Sequence, residues 1–464
     1  MGSELPLSCR TLTNGAVLTI RIIAPFALAL LSGCAAYHRA PLHDPDVVLA
    51  KPDTAVLSTD ASKIDRPYLK PETIDLSLPL TPNALAIIAV LENPDLKALR
   101  SKSGVADAQV FAARLLPDPT VQGNFDKILS GPDPLNAFGG QIGFDIGALR
   151  ARHVTAEGAR AARQQVRLDL AWAEWQTAGA ARIQGARVLA LIKQLELGRA
   201  SVASAENLLV RTQNAAGRGD VAGADVDTRR LAALDASDKL RVLERDLTTA
   251  QLELNKTLGL PPEAVVHLAP IGDPIAPPVA EMLSKRAVAE RLDLAALRAG
   301  YDAAESVVHK AVLDQFPNLS LTLMGARDTA GNYTAGPQIG FTLPFFNRNR
   351  GGIALAQASR AQLQAEYNAR LFQTRAEIAT AVATLRTIRR QQVQIRSALP
   401  PLEKFVAGFA RAARRGDLAR ATAETAAQTL RDRHATLLIL DQSAAEATIA
   451  LELLSGTPSE TWSR

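Results

Sequence analysis

The chain has 464 residues, a formal net charge of +5, 4% aromatic and 21% charged residues. That length exceeds one ordinary compact core, and so few aromatics build little sheet core but suit long alanine-rich helices. With no basic tract and no histidine or cysteine cluster at ligand spacing, neither a nucleic-acid partner nor a metal or cofactor site is indicated.

Arg21 precedes an apolar run over residues 22–31, broken only by Pro25 and followed by Ser32-Gly33-Cys34. A short apolar core ended by small residues reads as a secretion signal over residues 1–33 rather than a membrane span. The placement of Cys34 resembles a bacterial lipoprotein signal, in which that cysteine becomes the lipidated first residue. Ala35, in place of an aspartate, fits sorting to the outer membrane. The competing reading is a buried apolar strand with an incidental cysteine. Cleavage before Cys34 would remove Cys9, so no intrachain disulfide could form. Residues 34–80 contain scattered Pro, Asp and Lys without a sustained period and read as an extended linker or strap, with one short extended piece over residues 75–80.

From Thr81 the chain is written twice. Thr81-Pro82 opens a helical region. Asn93-Pro94-Asp95-Leu96 and Arg291-Leu292-Asp293-Leu294 begin matching helices, with Asp95 and Asp293 as expected N-caps. Pro119 and Pro317 end them. An alternating segment, a polar loop and a second alternating segment follow in each copy. The second segments contain Gln141-Ile142-Gly143-Phe144 and Gln338-Ile339-Gly340-Phe341, 197 residues apart (338 minus 141). The expected strands are about 119–127 and 139–147, then 317–325 and 336–345. Their apolar faces carry Ile142, Phe144 and Ile146, then Leu319, Leu321 and Leu323, then Ile339, Phe341, Leu343 and Phe345.

Long helical patterns come next. The stripe Leu168, Trp172, Trp175, Gly179, Ile183, Ala186, Ala190 lies in a proline-free run over residues 155–216, which at 1.5 Å per residue spans roughly 90 Å. Leu371, Ile378, Val382 and Leu385 repeat the pattern, and Pro400-Pro401 predicts a break or kink. Arg218-Gly219-Asp220 and Arg415-Gly416-Asp417 are matching turns in which Gly ends one helix and Asp can cap the next. Repeat 1 thus covers 81–259 and repeat 2 covers 281–456, separated by a proline-rich linker at 260–280 with a short strand expected over residues 265–268. A tail follows at 457–464. The fold class is mainly α with a small β part, a duplicated helix–β-hairpin–long helix unit. If its four strands span a membrane they cannot close a barrel alone, because open edges in lipid leave backbone groups unpaired; chains must then associate.

This arrangement, with Gly340-Phe341-Thr342-Leu343-Pro344-Phe345-Phe346-Asn347-Arg348-Asn349-Arg350-Gly351, resembles the TolC-like outer-membrane efflux protein family over residues 81–456. The second-copy motif is most similar to the heavy-metal RND efflux branch; the first copy, Asp145 to Arg152, lacks the proline and the aromatic pair. The resemblance implies a homotrimer with a 12-stranded outer-membrane β-barrel continued by a periplasmic α-helical barrel. It implies a passive exit duct served by a periplasmic adaptor (membrane fusion protein) and an inner-membrane pump of RND type. It implies adaptor contact at Arg218, Gly219, Asp220, Arg415, Gly416 and Asp417, where plain helix-hairpin capping is the alternative role. It implies outer-membrane lipid against the apolar strand faces. No catalysis is expected, since no nucleophile–base constellation or phosphate loop is present. The competing function is a lipid-anchored periplasmic scaffold or adaptor without a channel. Adaptors carry all-β lobes around one helical hairpin, whereas this chain has two hairpin units.

Overall fold

The computed structural model of the chain describes residues 37–133, 135–270, 272 and 279–462. The expected signal segment and Cys34 lie outside them. Two units are distinguished, Met1–Ala50 and Lys51–Arg464. In the first, the described helix is α1 (Pro45–Val48), where the Asp44 carboxylate accepts from the Asp46 amide.

The second unit carries the remaining elements. The segment expected to be an extended strap contains α2 (Thr54–Ser62), capped by Asp53, and contributes to a core. Leu57, Ala61, Ile64, Leu69, Ile74 and Leu80 are buried against α3 (Pro82–Glu92) and the long helices. Their spacing follows no single period, because the segment turns repeatedly; that hid their burial in the sequence. Leu80 pairs in parallel with Leu268, through Leu80 N to His267 O at 2.8 Å and Ala269 N to Leu80 O at 2.9 Å. The expected strand over residues 265–268 is thus a single bridge.

Thr81 starts α3 as expected, its hydroxyl accepting from the Ala84 amide. The next helix, α4 (Pro94–Arg114), is capped by Asn93 rather than Asp95: Asn93 Oδ1 accepts from the amides of Asp95 and Leu96. Pro94 fixes the first helical residue, so the cap falls on the residue before it, and Asp95 instead places charge in the first turn.

Then come β1 (Thr120–Asp126), β2 (Ala137–Asp145), α5 (Ile146–Gly217), α6 (Gly223–Leu258), α7 (Ala280–Glu290), α8 (Leu292–Leu313), β3 (Leu319–Arg327), β4 (Tyr333–Phe341), α9 (Arg350–Arg415) and α10 (Arg420–Ser455), with a final 3-10 turn at Ser459–Thr461. The same order of five elements, from α4 to α6 and from α8 to α10, occurs twice. The 72 residues of α5 extend roughly 110 Å.

Three residues expected on strands lie beyond them. Ile146 is the first residue of α5, because Asp145 ends the strand and caps the helix through the Ala148 amide at 2.9 Å. Leu343 and Phe345 follow the end of β4: Pro344 offers no amide, and the last bond to the neighbouring strand runs from Thr342 N to Asn318 O. Pro400-Pro401 does not break α9, which continues through both. Pro400, Pro401, Arg396 and Ser397 are exposed, so the carbonyls deprived of helical partners are open to water.

The copies also share their anchoring. Arg100 donates to the carbonyl of Val90 and Arg298 to that of Val288. Buried Asn255 near the end of α6 donates to the carbonyls of Pro261, Pro262 and Ala264, while buried Glu452 in α10 accepts from the Ser459 amide. Each ties its long helix to the loop that follows.

Candidate functional site

β1, β2, β3 and β4 form one antiparallel sheet in chain order. Val121, Ile142, Leu323 and Pro337 lie abreast, as do Phe144, Leu321 and Ile339, then Leu319 and Phe341. Residues directly opposite in register share a face, so Ile142, Phe144, Leu319, Leu321, Leu323, Ile339 and Phe341 come together on one apolar surface. Apart from half-buried Leu321 they are all exposed. At the hairpin end this face is closed by Phe138 and Arg327, whose guanidinium lies 4.7 Å from the ring centroid.

The opposite face is polar: Thr120, Gln122 and Gln141, then Ser320, Thr322 and Gln338. Gln141 and Gln122 are hydrogen-bonded. The glycine of the repeated Gln-Ile-Gly-Phe lies here in both copies. Thr120 Oγ1 donates to Gly143 O at 3.5 Å and Ser320 Oγ to Gly340 O at 3.3 Å. A Cβ would stand 2.6 Å from the first hydroxyl and 2.7 Å from the second, so a side chain there would displace it. β1 and β4 each pair on one side only, leaving two open edges among the described residues.

The two helical turns have one geometry. Gly219 and Gly416 adopt φ of +82° and +87°. Asp220 N reaches back to Ala215 O and Asp417 N to Ala412 O, both at 3.0 Å. These bonds close the ends of α5 and α9. Neither aspartate caps the following helix; Ala222 and Ala419 stand at those positions without a side-chain bond. Instead Asp220 accepts from Arg218 Nε at 2.9 Å and Asp417 from Arg415 Nε at 2.8 Å, on exposed side chains. Just inside the turns, Arg431 Nη2 donates to Ser204 Oγ at 3.0 Å and Glu424 Oε1 at 2.9 Å, tying α10 to α5.

Sequence reading missed two buried ion clusters. Glu174 on α5 is 1% exposed and accepts from Arg66 Nε at 2.6 Å and Arg100 Nη2 at 2.9 Å, joining the N-terminal strap, α4 and α5. Tyr68 packs edge-on to Trp175 with centroids 4.7 Å apart, and burial pushes its phenol pKa up. In the second cluster Asp293 accepts from Arg291 Nη2 at 2.6 Å and Arg370 Nε at 2.9 Å, and Arg291 lies 5.0 Å from the Trp172 ring. Burial pushes the Asp293 carboxyl up, but the hydrogen bonds and charges of the two arginines outweigh it and hold the pKa below the usual range. The sequence signal was a carboxylate between Trp172 and Trp175, where a helix turns its apolar side.

Among the described residues no helix is long and apolar enough to cross a membrane, and no group of side chains is placed to hold a metal ion. Residues 283–457 match the family model described as outer membrane efflux protein. No curated protein matches the chain. A membrane protein from Pseudomonas aeruginosa is similar in structure, with a TM-score of 0.68 at 17% identity over 91% of this chain and 99% of that one. The outer membrane protein VceC from Vibrio cholerae gives 0.67 at 16% over 81% and 96%. The CmeC outer membrane channel of Campylobacter jejuni gives 0.67 at 13% over 91% and 94%. Over its second half the chain therefore carries the sequence signature of outer membrane efflux proteins, and along most of its length it has the fold of these outer-membrane proteins.

Proposed function

We propose that three copies of the chain form a passive exit duct in the outer membrane. The observation that carries this reading is the four-stranded sheet, with one exposed apolar face, one polar face and two open edges. Such a sheet is stable in lipid only when its edges find partners. Three copies edge to edge supply a 12-stranded barrel, apolar outward and polar inward. The channel named in the CmeC structure supports the same reading. The long helices continue the duct into the periplasm, and each chain contributes two duct repeats, 81–259 and 281–456.

The duct takes cargo from an inner-membrane pump of RND type through a periplasmic adaptor that meets the turns at Arg218-Gly219-Asp220 and Arg415-Gly416-Asp417. Energy comes from the pump, and this chain performs no chemistry. Cys34, once the signal is removed, carries a lipid anchor in the same membrane.

Detergent-extracted protein is expected to be trimeric by light scattering and to conduct ions across a planar bilayer. A monomer released without detergent would overturn the duct and favour a periplasmic scaffold. Asp220→Arg with Asp417→Arg is expected to impair pump-linked resistance at unchanged trimer yield; undiminished efflux would remove the turns from the adaptor contact. Intact mass of the membrane form tests the anchor: an unmodified Cys34 would refute it.

A further inference from the structure

Four connections join the sheet to the helices, and all lie at one end of it. They enter β1 and β3 and leave β2 and β4. This end exposes apolar surface: Leu116, Phe316 and Phe345 are exposed, and Phe346 is 100% exposed. Phe345 and Phe346 follow within five residues of Phe341, which ends β4 on the apolar face, so they lie close to the end of that face. The far end of the sheet is different. There Asp328 accepts from Asn332, and Thr329 donates to Asp133, giving loops whose polar groups bond one another.

Two cations at the helical end, Arg348 and Arg350, lack acidic partners among the described residues. Arg348 and Arg350 are exposed, and their side chains form no hydrogen bond or ion pair among the described residues. On α5, by contrast, Arg167, Arg182 and Arg187 each meet a carboxylate. The nearby acids are mostly engaged: Asp314 binds Lys310 at 2.6 Å and Asp145 accepts from the Ala148 amide, which leaves Asp118. The segment is also held in place. Arg348 and Asn349 have φ of +48° and +50°, and Asn349 Nδ2 donates to Ala311 O at 2.8 Å. An exposed aromatic pair next to uncompensated cations, on a fixed turn below an apolar sheet, matches the chemistry of a bilayer surface. Apolar phenyl rings at a membrane surface bury at the acyl boundary, and arginine favours anionic phosphate.

We propose that Phe345, Phe346, Arg348 and Arg350 form a binding belt for anionic phospholipid headgroups, the rings among the upper acyl chains and the guanidiniums on the phosphates. The belt rests on the reading that the sheet spans the membrane. The first copy has no counterpart. Its helix begins directly at Ile146, and Arg150 there is turned to the Leu313 carbonyl at 3.0 Å. Each protomer therefore contributes one belt segment, which in a trimer gives three lipid sites.

The full chain carrying Phe346→Trp is reconstituted in vesicles containing brominated phosphatidylcholine or brominated phosphatidylglycerol, with the parent protein correcting for Trp172, Trp175 and Trp462. Both lipids are expected to quench the introduced indole. The phosphatidylglycerol form should bind more tightly, with each cation favouring an anionic surface about fivefold. Adding Arg348→Gln and Arg350→Gln should bring that preference close to unity while quenching persists. A conducting protein whose introduced indole is not quenched, or is quenched equally by both lipids, would overturn the belt and leave the duct standing. A protein that neither conducts nor stays with the vesicles would overturn both.

Discussion

Glu174 and Asp293 show how single charges are used in this chain. Each is a carboxylate held by two arginines from separate segments, so each fixes a junction that apolar contacts alone would leave adjustable. Removing one partner of a buried pair strands the other charge, at a cost of about 3–5 kcal/mol, but Arg66 and Arg100 are 38% and 32% exposed and water offsets much of that loss. Glu174→Ala is therefore expected to lower the thermal midpoint and to expose the strap to limited proteolysis. Asp293 makes a pH prediction. Its folded pKa is lowered, so its stabilisation is complete above the ordinary aspartate value of about 4 and is lost as pH falls through the lowered value. Asp293→Asn should lower the midpoint at neutral pH, and the two proteins should converge on acidification; parallel curves would show that the carboxylate's charge contributes nothing. Neither cluster was readable as a site, because the partners lie far apart in sequence: Arg66 and Glu174, Asp293 and Arg370.

At the scale of elements, the duplication was legible because its punctuation is local. Proline, glycine and the Arg-Gly-Asp turns act within a few residues of themselves, so their positions in the sequence mark where helices and strands change. The strand limits were less legible, since pairing rather than alternation decides them. Leu343 and Phe345 keep the alternating pattern but have no neighbour to bond. Pro400-Pro401 misled for the complementary reason. Proline predicts a missing bond, and whether the helix stops depends on whether the freed carbonyls can be hydrated, as they can on this exposed side. Alanine at these positions restores two amides, each proline costing up to about 3 kcal/mol relative to alanine in a helix interior. Pro400→Ala with Pro401→Ala is expected to raise the thermal midpoint of the detergent-solubilised protein; a fall would show that α9 needs the shape the prolines give it.

For the whole molecule, the division of the sheet into two faces makes neighbouring residues unequal. Ile339 lies on the apolar face and Gln338 on the polar one. Arginine at a lipid-facing position near the bilayer midplane costs about 2–4 kcal/mol. Ile339→Arg should reduce the yield of membrane-assembled protein, while Gln338→Arg should leave it near normal. Equal losses from both would contradict the assignment of faces. If the strands span a membrane, the need for partner chains follows from their number, which the sequence already indicated. The faces needed the register, which the repeated Gln-Ile-Gly-Phe suggested and the glycine contacts with Thr120 and Ser320 explain.

The order of strands in the sheet also constrains how the chain can fold. The central pairing joins β2 to β3, with Phe144 opposite Leu321, 177 residues later in the sequence (321 minus 144). The first hairpin must therefore wait, its aromatic side uncovered, while more than a third of the chain is made. The helices between can form meanwhile from local contacts, but closing so distant a pair is slow and leaves an aggregation-prone intermediate. A chain built this way keeps that aromatic side open to wrong partners until the second hairpin arrives.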